Sequence, residues 1–355
     1  MEKKFRKIGI LSSGGDAPGM NAAIRSVTRS AIARGVEVVG IVGGYAGLIN
    51  ENLKPLTEMD VSGIISHGGT TLYSARCNEF KYEEGMQKAI ATCKKNDIDG
   101  LICIGGDGTF RGATDLSIRG IPCIGIPGTI DNDITATDYT IGYDTAMNTV
   151  IDLCDKIIDT SESHSRCAVV EVMGRHAGYI AIETGIALGA VGVALIEMPF
   201  DKEALFAKMN ALRAQGQQSF IVIVAEGMGS EFGEALTKEI EERTGIESRF
   251  VRPAHIVRGG TPTLRDRSLA SVMGDKAVDL LLAGKSDLVI CSRNNEVIAT
   301  DIKWALIVDR MFKDKLKDGD LDSFTQEQID DMKALCAERR AYFENMYDIM
   351  LTIGG

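Results

Sequence analysis

Residues 7–41 read KIGILSSGGDAPGMNAAIRSVTRSAIARGVEVVGI, and the fold is decided within them. The apolar run KIGIL gives way to a glycine turn. A segment follows in which Ile24, Val27, Ala31 and Ile32 recur at three- and four-residue spacings while Arg25 and Arg29 fall elsewhere, and Gly35 supplies a stop before the next apolar run, VEVVGIVG from Val36. This order predicts a helix between two buried strands, the unit from which parallel sheets are built. Similar Val- and Ile-rich runs recur as GLICIGG from Gly100, IPCIGIP from Ile121, CAVVEV from Cys167, VGVALIEM from Val191, SFIVIVAEG from Ser219 and SDLVICS from Ser286. Amphipathic stretches lie between them. The expected fold class is therefore α/β, with mostly parallel sheets covered by helices and functional loops at the carboxyl ends of the strands.

The 355 residues suffice for two or three domains at roughly 100–200 residues each, and two is the simpler count. Hydrophobic content of 45% and charged content of 25% match an ordinary globular protein. A net charge of −11 argues against nonspecific nucleic-acid binding and against an anionic membrane surface. It leaves open the capture of a phosphorylated metabolite by a few convergent arginines. The eight cysteines are scattered, without a CxxC pair or a nearby His, so free thiols in a reducing cytoplasm are expected. The start, MEKKFRKIGILSSGG, has only a four-residue apolar run, too short for a signal core or a membrane span. Beyond Asp309 the charged, helix-forming stretch MFKDKLKDGDLDSFTQEQIDDMKALCAERR predicts a C-terminal helical appendage.

Three loops carry candidate chemistry. In SGGDAPGMN (residues 13–21), Gly14 and Gly15 let backbone approach a ligand just before a helix start, an arrangement suited to phosphate; a tight turn with an Asp cap would look the same. GGDGT (105–109) repeats the pattern, and Asp107 either reaches Mg²⁺ or caps the helix. GTIDND (128–133) carries Asp131 and Asp133 at i and i+2, so that one carboxylate can take a proton while the other holds a metal or a hydroxyl; turn chemistry is the competing explanation. Arg76, Arg166, Arg175, Arg249 and Arg258 flank predicted elements and are candidate phosphate ligands, as Glu226 and His255 are candidate hydroxyl or phosphate contacts.

Taken in order, SGGDAPGMNAAIR, GGDGT, PGTIDNDI, EVMGRHAG and HIVRGGTP resemble the 6-phosphofructokinase family, with PGTIDND the most specific piece. The resemblance implies two similar three-layer α/β/α domains with the active site in the cleft between them. The larger, ATP-binding domain would comprise residues 1–142 plus 257–308, and the smaller, sugar-phosphate domain 143–256 plus 309–355 with the C-terminal extension. It implies that Gly15, Tyr45, Arg76, Cys77, Gly106, Asp107, Gly108, Thr109 and Gly112 lie at the nucleotide, with Asp107 on Mg²⁺. Asp131 would be the general base, with Thr129 and Gly15 beside it and Arg175 stabilising the transferring group. Thr129, Asp131, Asp133, Met173, Gly174, Arg175, Glu226, His255 and Arg258 would hold fructose 6-phosphate, joined by Arg166 and Arg249 from a neighbouring subunit of a homotetramer.

The pyrophosphate-dependent branch commonly carries Asp in place of the last Gly of GGDG and Lys in place of the Gly of PGT. Gly108 and Gly128 therefore favour ATP over the alternative donor. A noncatalytic binding subunit would be expected to lack Asp131, Asp107 or Arg175, and all three are present. At the effector positions of well-studied bacterial members, Arg25 and Arg29 match, but Glu58, Ile158, Val191, Gln215 and Gln217 replace the expected basic and acidic residues, so weak or absent control by ADP and phosphoenolpyruvate is expected. Cys77 and Lys81 depart from the family's aromatic and arginine in the nucleotide pocket.

Overall fold

The computed structural model describes residues 5–355; the basic start of the chain, residues 1–4, lies outside the described residues. In chain order the elements are β1 (Lys7–Ser13), α1 (Met20–Ala33), β2 (Glu37–Ile41), α2 (Gly44–Ile49), β3 (Leu53–Leu56), α3 (Glu83–Lys95), β4 (Gly100–Gly105), α4 (Asp107–Ile118) and β5 (Cys123–Pro127). Then come α5 (Tyr143–His164), β6 (Cys167–Val172), α6 (Tyr179–Ala187), β7 (Gly192–Ala194), α7 (Lys202–Ala214), β8 (Phe220–Ala225), α8 (Phe232–Thr244) and β9 (Ser248–Val251). The chain closes with α9 (Leu264–Leu282), β10 (Leu288–Arg293), β11 (Glu296–Asp301), α10 (Ile302–Phe312) and α11 (Gln326–Ile353).

Contacts divide these elements into two compact units. The first contains the described residues up to Ile130, Ile134–Thr145 and Arg258–Cys336; the second contains Asp131–Asp133, Ala146–Val257 and Ala337–Gly355. Residues 309–336 thus group with the larger unit, whereas the division expected from sequence put them with the smaller one. The reason is burial: the apolar face of α10 (Ile302, Ala305, Leu306, Val308) and Met332, Leu335 and Cys336 of α11 all enter the first unit's core. Charged composition predicted a helix here but hid this narrow apolar stripe.

The first unit is built on a seven-stranded sheet of order β11-β10-β5-β4-β1-β2-β3. All neighbours are parallel except the two outermost pairs, β10–β11 and β2–β3. Side chains alternate across each strand. On β4, Leu101 and Cys103 join a core formed with α2, α3, α4 and α10. Gly100 and Ile104 face the other way, where Leu281 of α9 and Met20 of α1 lie within close reach. Helices on both faces make the expected three layers. The second unit has an all-parallel sheet of order β7-β8-β6-β9. Cys167, Val169, Val222 and Val224 pack on one face with Leu205 and Met209 of α7 and Leu236 and Ile240 of α8. On the opposite face, Gly185 of α6 lets that helix press against Val193. All eight cysteines are free thiols. Among the described residues no helix is long and apolar enough to cross a membrane.

Candidate active site

In the first unit, β1 is flanked by β2 on one side and β4 on the other, so the strand order reverses between β1 and β4. Loops leaving the carboxyl ends of strands at such a reversal diverge and leave a crevice for a ligand. The loops that leave here are the two glycine loops. They are tied together: Thr109 Oγ1 donates to the Ser13 carbonyl at 2.9 Å. The third loop joins through the Gly128 N–H, which donates to the Gly105 carbonyl at 3.0 Å. Glycine is required at 105 because a Cβ there would fall inside van der Waals contact of the Ser13 carbonyl oxygen and Thr109 Oγ1.

The rims of these loops are open. A Cβ on Gly106 or Gly108 would meet nothing within 4 Å. Gly108 thus leaves open space. Gly128 does not: a Cβ would lie 3.1 Å from Met20 Cε and 3.2 Å from Ile104 Cγ2, so this glycine answers to packing. Arg258 lies along the first loop, its Nη1 donating to the Asp16 carbonyl at 3.3 Å and standing 2.5 Å from where a Cβ on Gly15 would be. Arg76 is exposed and makes no hydrogen bond or ion pair among the described residues, which leaves its charge available.

Two residues expected at the nucleotide pack beneath the second glycine loop. Tyr45 is buried, stacks on Phe80 with centroids 4.1 Å apart, and donates its hydroxyl to the Thr109 carbonyl at 2.6 Å. Gly112 leaves room for that ring, since a Cβ would lie 2.7 Å from it. Cys77 packs partly buried against the same core. Asp107 opens α4, half-buried, with Arg111 Nη2 at 2.5 Å; burial pushes its pKa up against the pull of Arg111. No group of three or more His, Cys, Asp or Glu side chains able to hold a metal occurs among the described residues. A single carboxylate of this kind fits a Mg²⁺ that arrives with phosphate oxygens and water, the usual manner for that ion. Thr129 continues the third loop, its N–H on the Ile141 carbonyl at 3.1 Å and its own carbonyl accepting from Thr140 Oγ1 at 2.7 Å.

In the second unit, Asp131 and Asn132 are buried and Asp133 is half-buried. Asn132 adopts a left-handed conformation with φ +50°. The loop after β6 carries Met173, Gly174 and the exposed Arg175, also left-handed at φ +60°. Glu226, at the end of β8, accepts the Gly174 N–H at 3.2 Å and the Arg175 N–H on one oxygen, so part of its acceptor capacity holds the arginine's loop. His255 is exposed. Arg249 falls on β9, not in a loop, and with Arg166 it clasps Glu247, Arg166 Nη2 at 3.0 Å. Hydrogen bonding from Arg166 lowers the pKa of Glu247.

Sequence reading missed Asp266. It is fully buried on α9 and accepts from Gly142 N–H at 2.9 Å, Thr145 N–H at 2.8 Å and Thr145 Oγ1 at 2.6 Å, fixing the return of the chain from the third loop. An Asp one turn into a helix looks like an ordinary first-turn acid, so no local signal marked it. Burial pushes its pKa up to about 6, outweighing the three donors. The folded protein thus holds this proton more tightly than the unfolded chain, where the ordinary value is 3.8. Its contribution is complete below about pH 4 and is lost as pH rises through about 6, on the order of 3 kcal/mol. The stability of the unchanged protein relative to Asp266→Asn is expected to fall over that window in chemical denaturation. A rise would contradict the assignment.

The family model described as Phosphofructokinase matches residues 7–281, more than three quarters of the chain. The chain belongs to the phosphofructokinase family. It is 52% identical over 300 residues to the ATP-dependent 6-phosphofructokinase of Bacillus subtilis, covering 84% of this chain and 93% of the relative. With the ATP-dependent 6-phosphofructokinase 1 of Clostridium perfringens it shares 51% over 312 residues, covering 88% and 97%. Among solved structures, phosphofructokinase from Saccharomyces cerevisiae superimposes with a TM-score of 0.83 at 31% identity, covering 89% of this chain and 47% of that one, so the chain spans about half the yeast length. A pyrophosphate-dependent phosphofructokinase from Marinobacter aquaeolei gives 0.75 at 22% identity, a likeness of fold alone. The mostly parallel two-unit α/β architecture is the one the family's motifs implied.

Proposed function

We propose that this chain is an ATP-dependent 6-phosphofructokinase that transfers the γ-phosphoryl group of ATP to the 1-hydroxyl of fructose 6-phosphate, giving fructose 1,6-bisphosphate and ADP. The observation that carries the reading is the joining of the three loops at the strand-order reversal, with Gly106 and Gly108 open above them. Half-identity over most of the chain to bacterial relatives bearing that name supports it.

In this reading the backbone amides of the first two loops hold the phosphates, and Arg76 meets their charge. Asp107 would hold Mg²⁺, which neutralises charge on the transferring group when bound. Asp131 accepts the proton of the sugar hydroxyl as that oxygen attacks phosphorus, and Arg175 stabilises charge on the phosphoryl oxygens as the bond to ADP breaks. Thr129 and Asp133 orient the acceptor. Met173, Gly174, Glu226, His255 and Arg258 hold fructose 6-phosphate. Arg166 and Arg249 would reach the sugar phosphate of a neighbouring subunit in a homotetramer, exchanging Glu247 for it. Response to ADP and phosphoenolpyruvate is expected to be weak; Arg29, one of the two retained effector arginines, has Glu58 at 3.7 Å.

The donor is tested by assaying purified protein on fructose 6-phosphate with ATP and with pyrophosphate in parallel. ATP is expected to support at least about 100-fold greater kcat/KM, roughly the 2.7 kcal/mol of transition-state binding that separates a used donor from a rejected one. Preference for pyrophosphate would reverse the donor assignment, and no product with either donor would reject the enzyme.

A further inference from the structure

Three amides of the short loop bearing Arg175 are held by two carboxylates. Gly174 and Arg175 donate to Glu226, and Gly178 donates to Glu197 Oε1 at 2.8 Å. Between them Ala177 N–H closes a turn on the Gly174 carbonyl at 3.0 Å. Arg175 itself sits at φ +60°, a conformation that costs a residue with a Cβ about 1–3 kcal/mol and persists only where the surroundings over-determine it. Glu226 supplies that constraint at the start of the loop. Glu197, just beyond β7, supplies it at the end.

Glu197 is an expensive residue for so small a task. Its second oxygen is buried without a hydrogen-bond partner and stands 2.5 Å from where a Cβ on Gly178 would be, so only glycine admits this approach. Burial raises its pKa against the pull of the Gly178 amide. Both ends of the bond are backed by α11. Tyr347 donates its hydroxyl to the carbonyl of Pro199, two residues past Glu197, at 3.3 Å. Phe343 and Tyr342 pack their rings against Tyr179, which follows Gly178, at 4.5 and 5.8 Å. Tyr342 also donates to Glu183 on α6. Tyr342, Phe343 and Tyr347 lie outside the residues 7–281 that match the family.

We propose that Glu197 is a positioning residue for Arg175: it fixes the far end of the loop through Gly178, and the aromatic face of α11 fixes where Glu197 stands. The inference rests on the proposed role of Arg175 at the transferring phosphoryl group. Misplacing a catalytic cation by about 1 Å can cost on the order of 100-fold in rate without loss of binding.

The test uses full-length protein with ATP and fructose 6-phosphate. Glu197→Ala is expected to lower kcat at least about tenfold while KM for ATP stays within about twofold. Glu197→Gln, whose amide oxygen still accepts from Gly178, should keep kcat within about threefold of the unchanged protein. Added to Arg175→Ala, Glu197→Ala should change kcat by less than about twofold, since groups acting as one unit are not additive. A kcat for Glu197→Ala equal to that of the unchanged protein, or a full multiplicative loss on top of Arg175→Ala, overturns the proposal. If Glu197→Ala does not fold, Glu197→Asp, which withdraws the carboxylate by one methylene, carries the same expectations. Should Arg175→Ala alone leave kcat unaltered, the role of Arg175 is wrong, a result distinguishable from Glu197 failing to couple to it.

Discussion

Asp131→Ala is expected to lower kcat by about 10²–10⁴-fold, the usual range for loss of a general base, while KM for ATP should stay close to its original value. The sugar hydroxyl is a weak nucleophile until its proton has somewhere to go, and phosphoryl transfer otherwise asks little of the protein beyond positioning and charge. Asp131 follows Thr129 by two residues on the loop leaving β5 and is only 4% exposed, so its environment is set by protein groups more than by water. Truncation to Ala also leaves a small void, and Asp131→Asn separates the two effects. Asn keeps the volume but cannot accept the proton, so it should be as slow as Ala. Steady-state kinetics of both variants decide the matter: turnover within threefold of the original in either one would remove Asp131 from the mechanism.

The second large effect is expected from a methyl group. Gly105→Ala places a Cβ against the Ser13 carbonyl oxygen and Thr109 Oγ1, and a backbone oxygen cannot swing aside as the tip of a side chain can. Either the end of β4 or the loop after β1 must move. Both hydrogen bonds that join the three loops, Thr109 to Ser13 and Gly128 to Gly105, are then strained or broken. We expect a loss of about 1–3 kcal/mol in stability, the usual cost of overpacking. Because the phosphate-binding amides lose their mutual alignment, kcat/KM for ATP should fall at least about tenfold. Gly106→Ala is the control for stability, since its Cβ would meet nothing within 4 Å. Thermal unfolding of the two variants side by side is the measurement. Equal midpoints would mean that the loops are not joined as described.

The strands missed in the sequence share a position. All eight apolar runs became strands, whereas β3, β9 and β11 went unread, and each of the three is at an edge of its sheet. An interior parallel strand is covered on both faces and needs an unbroken apolar run. An edge strand is partly solvated, so Leu53–Leu56 could carry Lys54 and Pro55 and Ser248–Val251 could carry Arg249 without betraying a strand. The site was legible to a similar degree. Gly15, Asp107 and Asp131 stood out because glycine turns and paired carboxylates at strand ends are local patterns, whereas the roles given to Thr109 and Arg175 came from the family resemblance. Tyr45 and Gly112 drew attention for the nucleotide, yet they pack on each other beneath the loop that carries Thr109.

What this sequence determined unaided was the periodicity of its elements and the chemistry of its loops, because both are written in neighbours a few residues apart: buried strands demand apolar runs, and phosphate turns demand glycine. Only the tertiary structure decided which side chains are spent on holding the loops and which are left for a ligand. Asp266 with Thr145, Glu197 with Gly178, and α11 with Tyr179 are partnerships across 19 to 163 positions of chain. No local pattern encodes such pairs, since burial and hydrogen bonding are settled by which distant surfaces meet.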